Sequence, residues 1–285
     1  MRGTAYVNGA YVPLARAAVS IQDRGFLFGD AVYEVWAVRR GQLNDTAEHL
    51  ARLNRSLREL KMRAPMGDRA LLAVVRETMR RNNVREGIVY LQISRGAAPE
   101  RDHTFPGDNI PPTLVVTAKN LGTAYLVKRM REGVKIITTP ENRWARCDIK
   151  SVNLLPNALA KQQAKAAGAF EAWFVDVDGF VTEGSSTTAW IIDQEGRLRT
   201  RDLSNRILHG VTRAVLLKLA AERQTTIVEQ AFTPDDVAAA REAFVTSAGN
   251  PVVPVVAIDG KPIGDGKPGP MATKLRDIYL GAQPV

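Results

Sequence analysis

The chain has 285 residues, 45% of them hydrophobic and 24% charged, a composition that excludes intrinsic disorder and suits a folded globular protein. The formal net charge is +9, yet the basic residues are dispersed, with no RNP-like motif, zinc-finger spacing or long Lys/Arg run, so nucleic acid is not an expected partner. A single cysteine, Cys147, excludes an intrachain disulfide; apolar runs such as TLVVTA are too short to cross a membrane, and the first residues lack a signal peptide's apolar core, so a cytoplasmic enzyme or binding protein is expected.

In chain order, TAYVNGAYVPL alternates around Asn8-Gly9 and predicts a hairpin. AVYEVWAVRRGQL predicts two further strand pieces around Gly41. Asp45, with Glu48 three residues on, resembles a capping box, and Leu50, Leu53, Leu57 and Leu60 then form a helical stripe. A second helix is expected over ALLAVVRETMRRN, then strands at GIVYLQISRG and PTLVVTA. KNLGTAYLVKRMREG has a weaker pattern and reads as the boundary between lobes, near residue 121. Beyond it come a strand at VKIITT and a helix at LLPNALAKQQAKAAG, with proline in its first turn and glycine at its end. FEAWFVD and TTAWIID read as strands broken by VDGFVTEGSS. A helix at GVTRAVLLKLAAE, strands at TTIVEQ, EAFVTSA and VVPVVAIDG, and a C-terminal helix complete the chain. Strands and helices mix throughout, which predicts an α/β (α+β) protein of two lobes, residues 1–120 and 121–285.

Much chemistry is excluded. His49, His103 and His209 are far apart, and there is no HExxH and no paired CxxC, so no metal site is expected. There is no GxSxG elbow and no GxGxxG, and GDGKPGP lacks the Ser or Thr that follows the lysine of a P-loop. A lysine, Lys150, and a downstream glutamate, Glu183, remain. Alone, Lys150 reads as a solvated charge and Glu183 as a turn carboxylate.

Their flanking blocks change that reading. RCDIKSVNLLPNALAKQQA followed by VTEGSSTTAWII resembles the signature of the class IV (fold type IV) aminotransferases, which use pyridoxal 5′-phosphate (PLP). DRGFLFGDAVYEV, EHLARL, LHGVTR, FVTSA and IDGKPI extend the resemblance over nearly the whole chain, in matching order. It implies a smaller N-terminal and a larger C-terminal domain with the cofactor at their interface. The Arg-x-His of RDHTF is similar to the D-amino acid branch.

The resemblance also implies roles. Lys150 matches the lysine that forms the Schiff base with PLP, and Glu183 the carboxylate that keeps the pyridine nitrogen protonated. Arg52 matches a phosphate ligand, joined by Val211 and Thr212 at a helix start and by Ser247 after a strand. Ala248 stands where many relatives have a second Ser or Thr, and Leu208 matches an apolar residue against the cofactor ring. Arg101 and His103 from one subunit, with Tyr33 from the other, match a trap for the substrate α-carboxylate, which implies a homodimer with shared active sites. The expected activity is ping-pong transamination between D-amino acids such as D-alanine and D-glutamate and 2-oxo acids such as pyruvate and 2-oxoglutarate. The alternatives are branched-chain L-amino acid or (R)-amine aminotransferase, and aminodeoxychorismate lyase of the same fold.

Overall fold

Asn8 and Gly9 take positive φ values of 46° and 100°, which turn β1 (Thr4–Val7) tightly into β2 (Ala10–Pro13). The same chemistry recurs at Arg40 and Gly41, at φ of 49° and 77°, between β3 (Ala31–Arg39) and β4 (Gln42–Leu43). Before β3 lies a short helix, α1 (Arg24–Phe28), capped by the Asp23 carboxylate, which accepts from the Gly25 N–H. Two longer helices, α2 (Thr46–Glu59) and α3 (Asp68–Arg81), precede β5 (Gly87–Ser94) and β6 (Thr113–Asn120). The strands form one antiparallel sheet in the order β2-β1-β6-β5-β3-β4.

This structure, a computed structural model, describes residues 3–283, and they divide into two compact units. The first holds the antiparallel sheet with α1, α2 and α3. Leu53 and Leu57 of α2 pack with Val75 and Met79 of α3 on Trp36, Val89 and Val116 of the sheet. Each fully buried leucine contributes about 2 kcal/mol.

One expectation fails locally. Asp45 stands at the N-cap of α2 in the left-handed region, φ 48°, and makes no side-chain cap hydrogen bond, so the capping box does not form. An N-cap whose side chain accepts from the first helical N–H groups has an extended backbone, which Asp45 lacks. The weakly patterned stretch after residue 121 forms a regular helix, α4 (Thr123–Glu132), and the two units divide at its start, between Gly122 and Thr123.

The second unit contains α4 and then β7 (Val134–Pro140), α5 (Leu155–Ala166), β8 (Glu171–Val175), β9 (Val181–Gly184), β10 (Thr188–Ile192) and β11 (Leu198–Thr200). It continues through α6 (Val211–Ala221), β12 (Ile227–Glu229), α7 (Pro234–Ala239), β13 (Glu242–Ser247), β14 (Asn250–Ile258), β15 (Lys261–Pro262) and α8 (Pro270–Gly281). Its mixed sheet runs β12-β11-β10-β13-β14-β7-β8-β9, with β15 on β14. The stretch VDGFVTEGSS is not only a break, since it holds β9, which pairs with β8 through Trp173 and Gly184.

Residues Ile149–Asn153 belong to the first unit, although the chain on both sides of them belongs to the second. The reason is backbone pairing: the Tyr33 N–H donates to the Lys150 carbonyl at 3.0 Å and the Val152 N–H to Ala31 at 3.1 Å. Ile149 adds its side chain to the first unit's core. Among the described residues no helix is long and apolar enough to cross a membrane.

Candidate active site

The candidate residues fall in both units. In the first, the segment carrying Lys150 lies extended along β3, bridged Val32 to Ser151. The Lys150 N–H also donates to the Ser56 hydroxyl of α2 at 3.3 Å. Held on both sides, the chain delivers Lys150 Nζ to 4.1 Å above the ring of Tyr33, which stacks in turn on Tyr90. Alternation along β3 explains the neighbours: Tyr33 and Val35 are half-buried, while Val32, Glu34 and Trp36 are fully buried.

Glu34 is a buried carboxylate. It accepts from Arg52 through Nε and Nη2, both at 2.7 Å, and lies 2.7 Å from His49 Nδ1. Burial alone would raise its carboxyl, but Arg52 and His49 outweigh burial and hold it at about 2. Burial pushes the His49 imidazole down against the pull of Glu34, so His49 is neutral at pH 7 and its Nδ1–H donates to Glu34. The fork of Arg52, the phosphate candidate, is therefore oriented by Glu34, a residue the sequence reading left unassigned.

Arg101 and His103 are exposed on the loop that joins β5 to β6. Both flank Phe28: the Arg101 guanidinium lies 4.7 Å from its centroid and the His103 ring 5.2 Å. The three carboxylate-trap candidates thus form two groups, Arg101 and His103 at Phe28, and Tyr33 at Lys150.

In the second unit Glu183 lies on β9, 6% exposed. Its Oε1 accepts from Arg143 Nη1 at 2.5 Å and from the Leu208 N–H at 3.1 Å, so Oε2 is the oxygen that remains for a further donor. Glu141 holds Arg143 from the other side, accepting from Nε and Nη2 at 2.8 and 2.6 Å. Burial pushes the Glu183 carboxyl up, and Arg143 and the Leu208 N–H oppose it. The turn after Glu183 is fixed by the fully buried Glu171, which accepts from the hydroxyls of Ser185, Ser186 and Thr187. Arg143, Glu141 and Glu171 were invisible as site residues in the sequence, because the contacts that tie them to the Glu183 strand and turn span 14 to 41 positions. The only available signal was the side chains themselves, Glu171 at a strand position and Glu141 and Arg143 in the segment just after β7.

Val211 and Thr212 open α6, whose N-cap, Gly210, provides no side-chain cap. The Thr212 hydroxyl is buried without a hydrogen-bond partner among the described residues, an arrangement that costs about 1–3 kcal/mol unless an acceptor occupies the site. An uncapped helix start beside an unsatisfied hydroxyl suits a phosphate, and a buried carboxylate held by an arginine suits a protonated pyridine nitrogen. The residues present fit PLP. Ser247 ends β13, its hydroxyl accepting from Asn250 at 3.3 Å, and Ala248 follows in the turn. Cys147 takes no part in this chemistry: burial pushes its thiol up to about 12, so the thiolate is absent at neutral pH. Among the described residues no cluster of His, Cys, Asp and Glu could hold a metal ion.

The comparisons agree with this chemistry. A family model described as Amino-transferase class IV matches residues 31–258. A D-alanine aminotransferase of Staphylococcus aureus (strain MSSA476) is 38% identical over 275 residues, 96% of this chain and 95% of that protein. One of Bacillus licheniformis is 39% identical over 269 residues, 94% of this chain and 93% of that protein. Among solved structures, the T.th. branched-chain amino acid aminotransferase with pyridoxamine 5′-phosphate superposes with a TM-score of 0.89 at 30% identity, covering 99% of this chain and 94% of that one. With the family model matching residues 31–258 and relatives near 38% identity over almost its whole length, the chain belongs to the class IV aminotransferases and is a PLP-dependent transaminase of their α/β fold.

Proposed function

We propose that this transaminase exchanges amino groups between D-amino acids, D-alanine and D-glutamate foremost, and 2-oxo acids such as pyruvate and 2-oxoglutarate, as a homodimer. The observation that carries the reading is the Arg101–His103 pair, two donor side chains exposed on one loop and gathered at Phe28. An Arg fork binds a carboxylate through two parallel hydrogen bonds, which an amine substrate cannot use. The D-alanine aminotransferases at 38% identity support the same reading.

When bound, PLP supplies an electron sink for the pair released as the substrate Cα–H bond breaks. Lys150 Nζ serves as the base that removes that proton and as the acid that returns it. Glu183, held by Arg143, would keep the proton on the pyridine nitrogen, with Oε2 left to accept from it. The Thr212 hydroxyl, the α6 N–H groups, Ser247 and Arg52 would hold the phosphate, and Leu208 would pack on the ring. Arg101 and His103 of one subunit, with Tyr33 of the other, grip the α-carboxylate and fix which face of Cα meets Lys150. The domain limits of 1–120 and 121–285 are part of this proposal, with Ile149–Asn153 returned to the first unit.

A donor screen of D- against L-amino acids tests it: D-alanine with 2-oxoglutarate is expected to form pyruvate far faster than L-leucine reacts. Turnover of L-leucine or (R)-phenylethylamine without turnover of D-alanine would refute it, as would pyruvate release from aminodeoxychorismate alone. In the same assay Arg101→Ala should raise KM for D-alanine about tenfold or more, the loss of a charged hydrogen bond, and leave carboxylate-free amines unaffected.

A further inference from the structure

The loop that carries Arg101 and His103 connects Ser94 to Thr113, paired residues of β5 and β6, and has no helix or strand of its own. Such long connections are loose unless something holds them. Here the holding group is Arg24 of α1, 4% exposed. Its Nη1 donates to the carbonyls of Asp102 and Thr104 at 2.6 and 3.1 Å, and its Nη2 to that of His103 at 3.3 Å. Three consecutive loop carbonyls are therefore gripped by one guanidinium. Its Nε is fixed at 2.8 Å by Asp30.

Asp30 serves a second arginine as well. Arg95 donates to it from Nε and Nη2 at 2.7 and 3.0 Å, and to the Leu60 and Lys61 carbonyls at 2.8 and 3.1 Å. The Arg95 guanidinium lies 3.6 Å from the ring centroid of Phe105, the loop residue two beyond His103. At the base of the loop, Gly96 has φ 103°, and a Cβ there would come within 2.2 Å of the Pro111 carbonyl oxygen. The loop is pinned at its base, along its backbone and through one side chain.

We propose that Arg24, oriented by Asp30 and assisted by Arg95, is a positioning residue for substrate specificity: it fixes the loop in the one conformation in which Arg101 and His103 can bind a carboxylate. The proposal rests on the carboxylate trap proposed above. Only arginine fits the task, because a planar fork reaches three carbonyls and a carboxylate at once, whereas a lysine ammonium offers a single centre. A misplacement of about 1 Å in a binding group costs up to about 10²-fold, so losing the grip reads out as weaker substrate binding with the chemical step intact.

The test uses the holoenzyme with Arg24→Lys, which keeps the charge and loses the geometry. KM for D-alanine is expected to rise about tenfold, with kcat within about twofold of the parent and KM for the carboxylate-free analogue D-alaninol unchanged. Amide hydrogen exchange, measured without substrate, is expected to quicken at residues 101–105 and not in α2 or β3. A parent-like KM for D-alanine, or equal losses for D-alanine and D-alaninol, overturns the proposal. Should Arg24→Lys fail to fold, Phe105→Ala removes an exposed ring that stabilises no core. It is expected to raise KM for D-alanine about threefold at constant kcat, and an unchanged KM overturns the proposal. Arg101→Ala separates the two ideas. If it is selective for D-alanine while Arg24→Lys is silent, only the clamp fails; if Arg101→Ala affects both donors equally, the trap itself fails.

Discussion

Replacing Arg143 by leucine should disable Glu183 without touching it. The Arg143 side chain is 4% exposed, and its guanidinium lies between Glu183 and Glu141, with N–O distances of 2.5 and 2.6 Å. Two opposite unit charges about 4 Å apart interact by about 4 kcal/mol at an effective dielectric of about 20. Removing the cation leaves the buried Glu183 and the partly buried Glu141 without the charge that bridges them, and breaking a buried pair costs about 3–5 kcal/mol. Burial already pushes the Glu183 carboxyl up, and with its main opposing influence gone it rises further, toward the protonated form. A protonated Glu183 cannot hold the proton on the pyridine nitrogen, so kcat for D-alanine at pH 7 is expected to fall about 10²-fold, a barrier increase of about 2.7 kcal/mol. The sign is testable: activity needs the ionised carboxylate, so the acid limb of the kcat–pH profile should move to higher pH and activity should partly recover as pH rises. Arg143→Lys, which keeps the charge, should lose less than about tenfold. Stopped-flow half-reactions from about pH 5 to 10, with urea melts to establish folding, provide the measurement. A folded Arg143→Leu enzyme whose pH profile overlays the parent's would refute the reasoning.

Other perturbations give outcomes of different sign. Thr212→Val deletes a buried hydroxyl that has no partner among the described residues, so the PLP-free protein should be as stable or about 1 kcal/mol more stable in urea, while PLP affinity falls about tenfold by spectroscopic titration; equal PLP affinity would remove Thr212 from the phosphate site. Lys150→Ala should abolish both the visible absorbance of the PLP-loaded protein and turnover, and a retained band near the parent's would refute the assignment. Glu34 sets a pH dependence of stability. Its folded value of about 2 lies below the ordinary 4.5, so its contribution is complete above about pH 4.5 and is lost as pH falls through about 2. The whole shift corresponds to about 3 kcal/mol, of which about 2 kcal/mol is lost between pH 6 and pH 3. Glu34→Gln should therefore flatten the urea stability difference between those two pH values by about 2 kcal/mol, and an unchanged slope would count against this account of Glu34.

Local sequence determined more of this protein than its sparse chemistry suggests. The Asn8-Gly9 and Arg40-Gly41 turns form where positive φ was required, the Leu53/Leu57 stripe is buried, and proline opens α5. Each rests on interactions within a few residues, which composition and spacing record directly. The family, the cofactor and the transaminase chemistry were legible too, because Lys150, Glu183 and their flanking blocks lie in short runs of distinctive residues. The Asp45 cap failed because its backbone is left-handed, a property set by the turn into α2 rather than by residue type.

Tertiary structure alone decided how those residues are held. Lys150 reads as the edge of a helix in the second half of the chain, yet hydrogen bonds to Ala31 and Tyr33, more than a hundred residues back, draw its segment onto β3 and set its amine over the Tyr33 ring. Arg143 became the partner of Glu183, Glu34 of Arg52, and Arg24 of the loop bearing Arg101 and His103. A buried charge needs a partner wherever the fold can bring one, and that choice is made by strand register and helix packing across long stretches of chain, which no local pattern encodes.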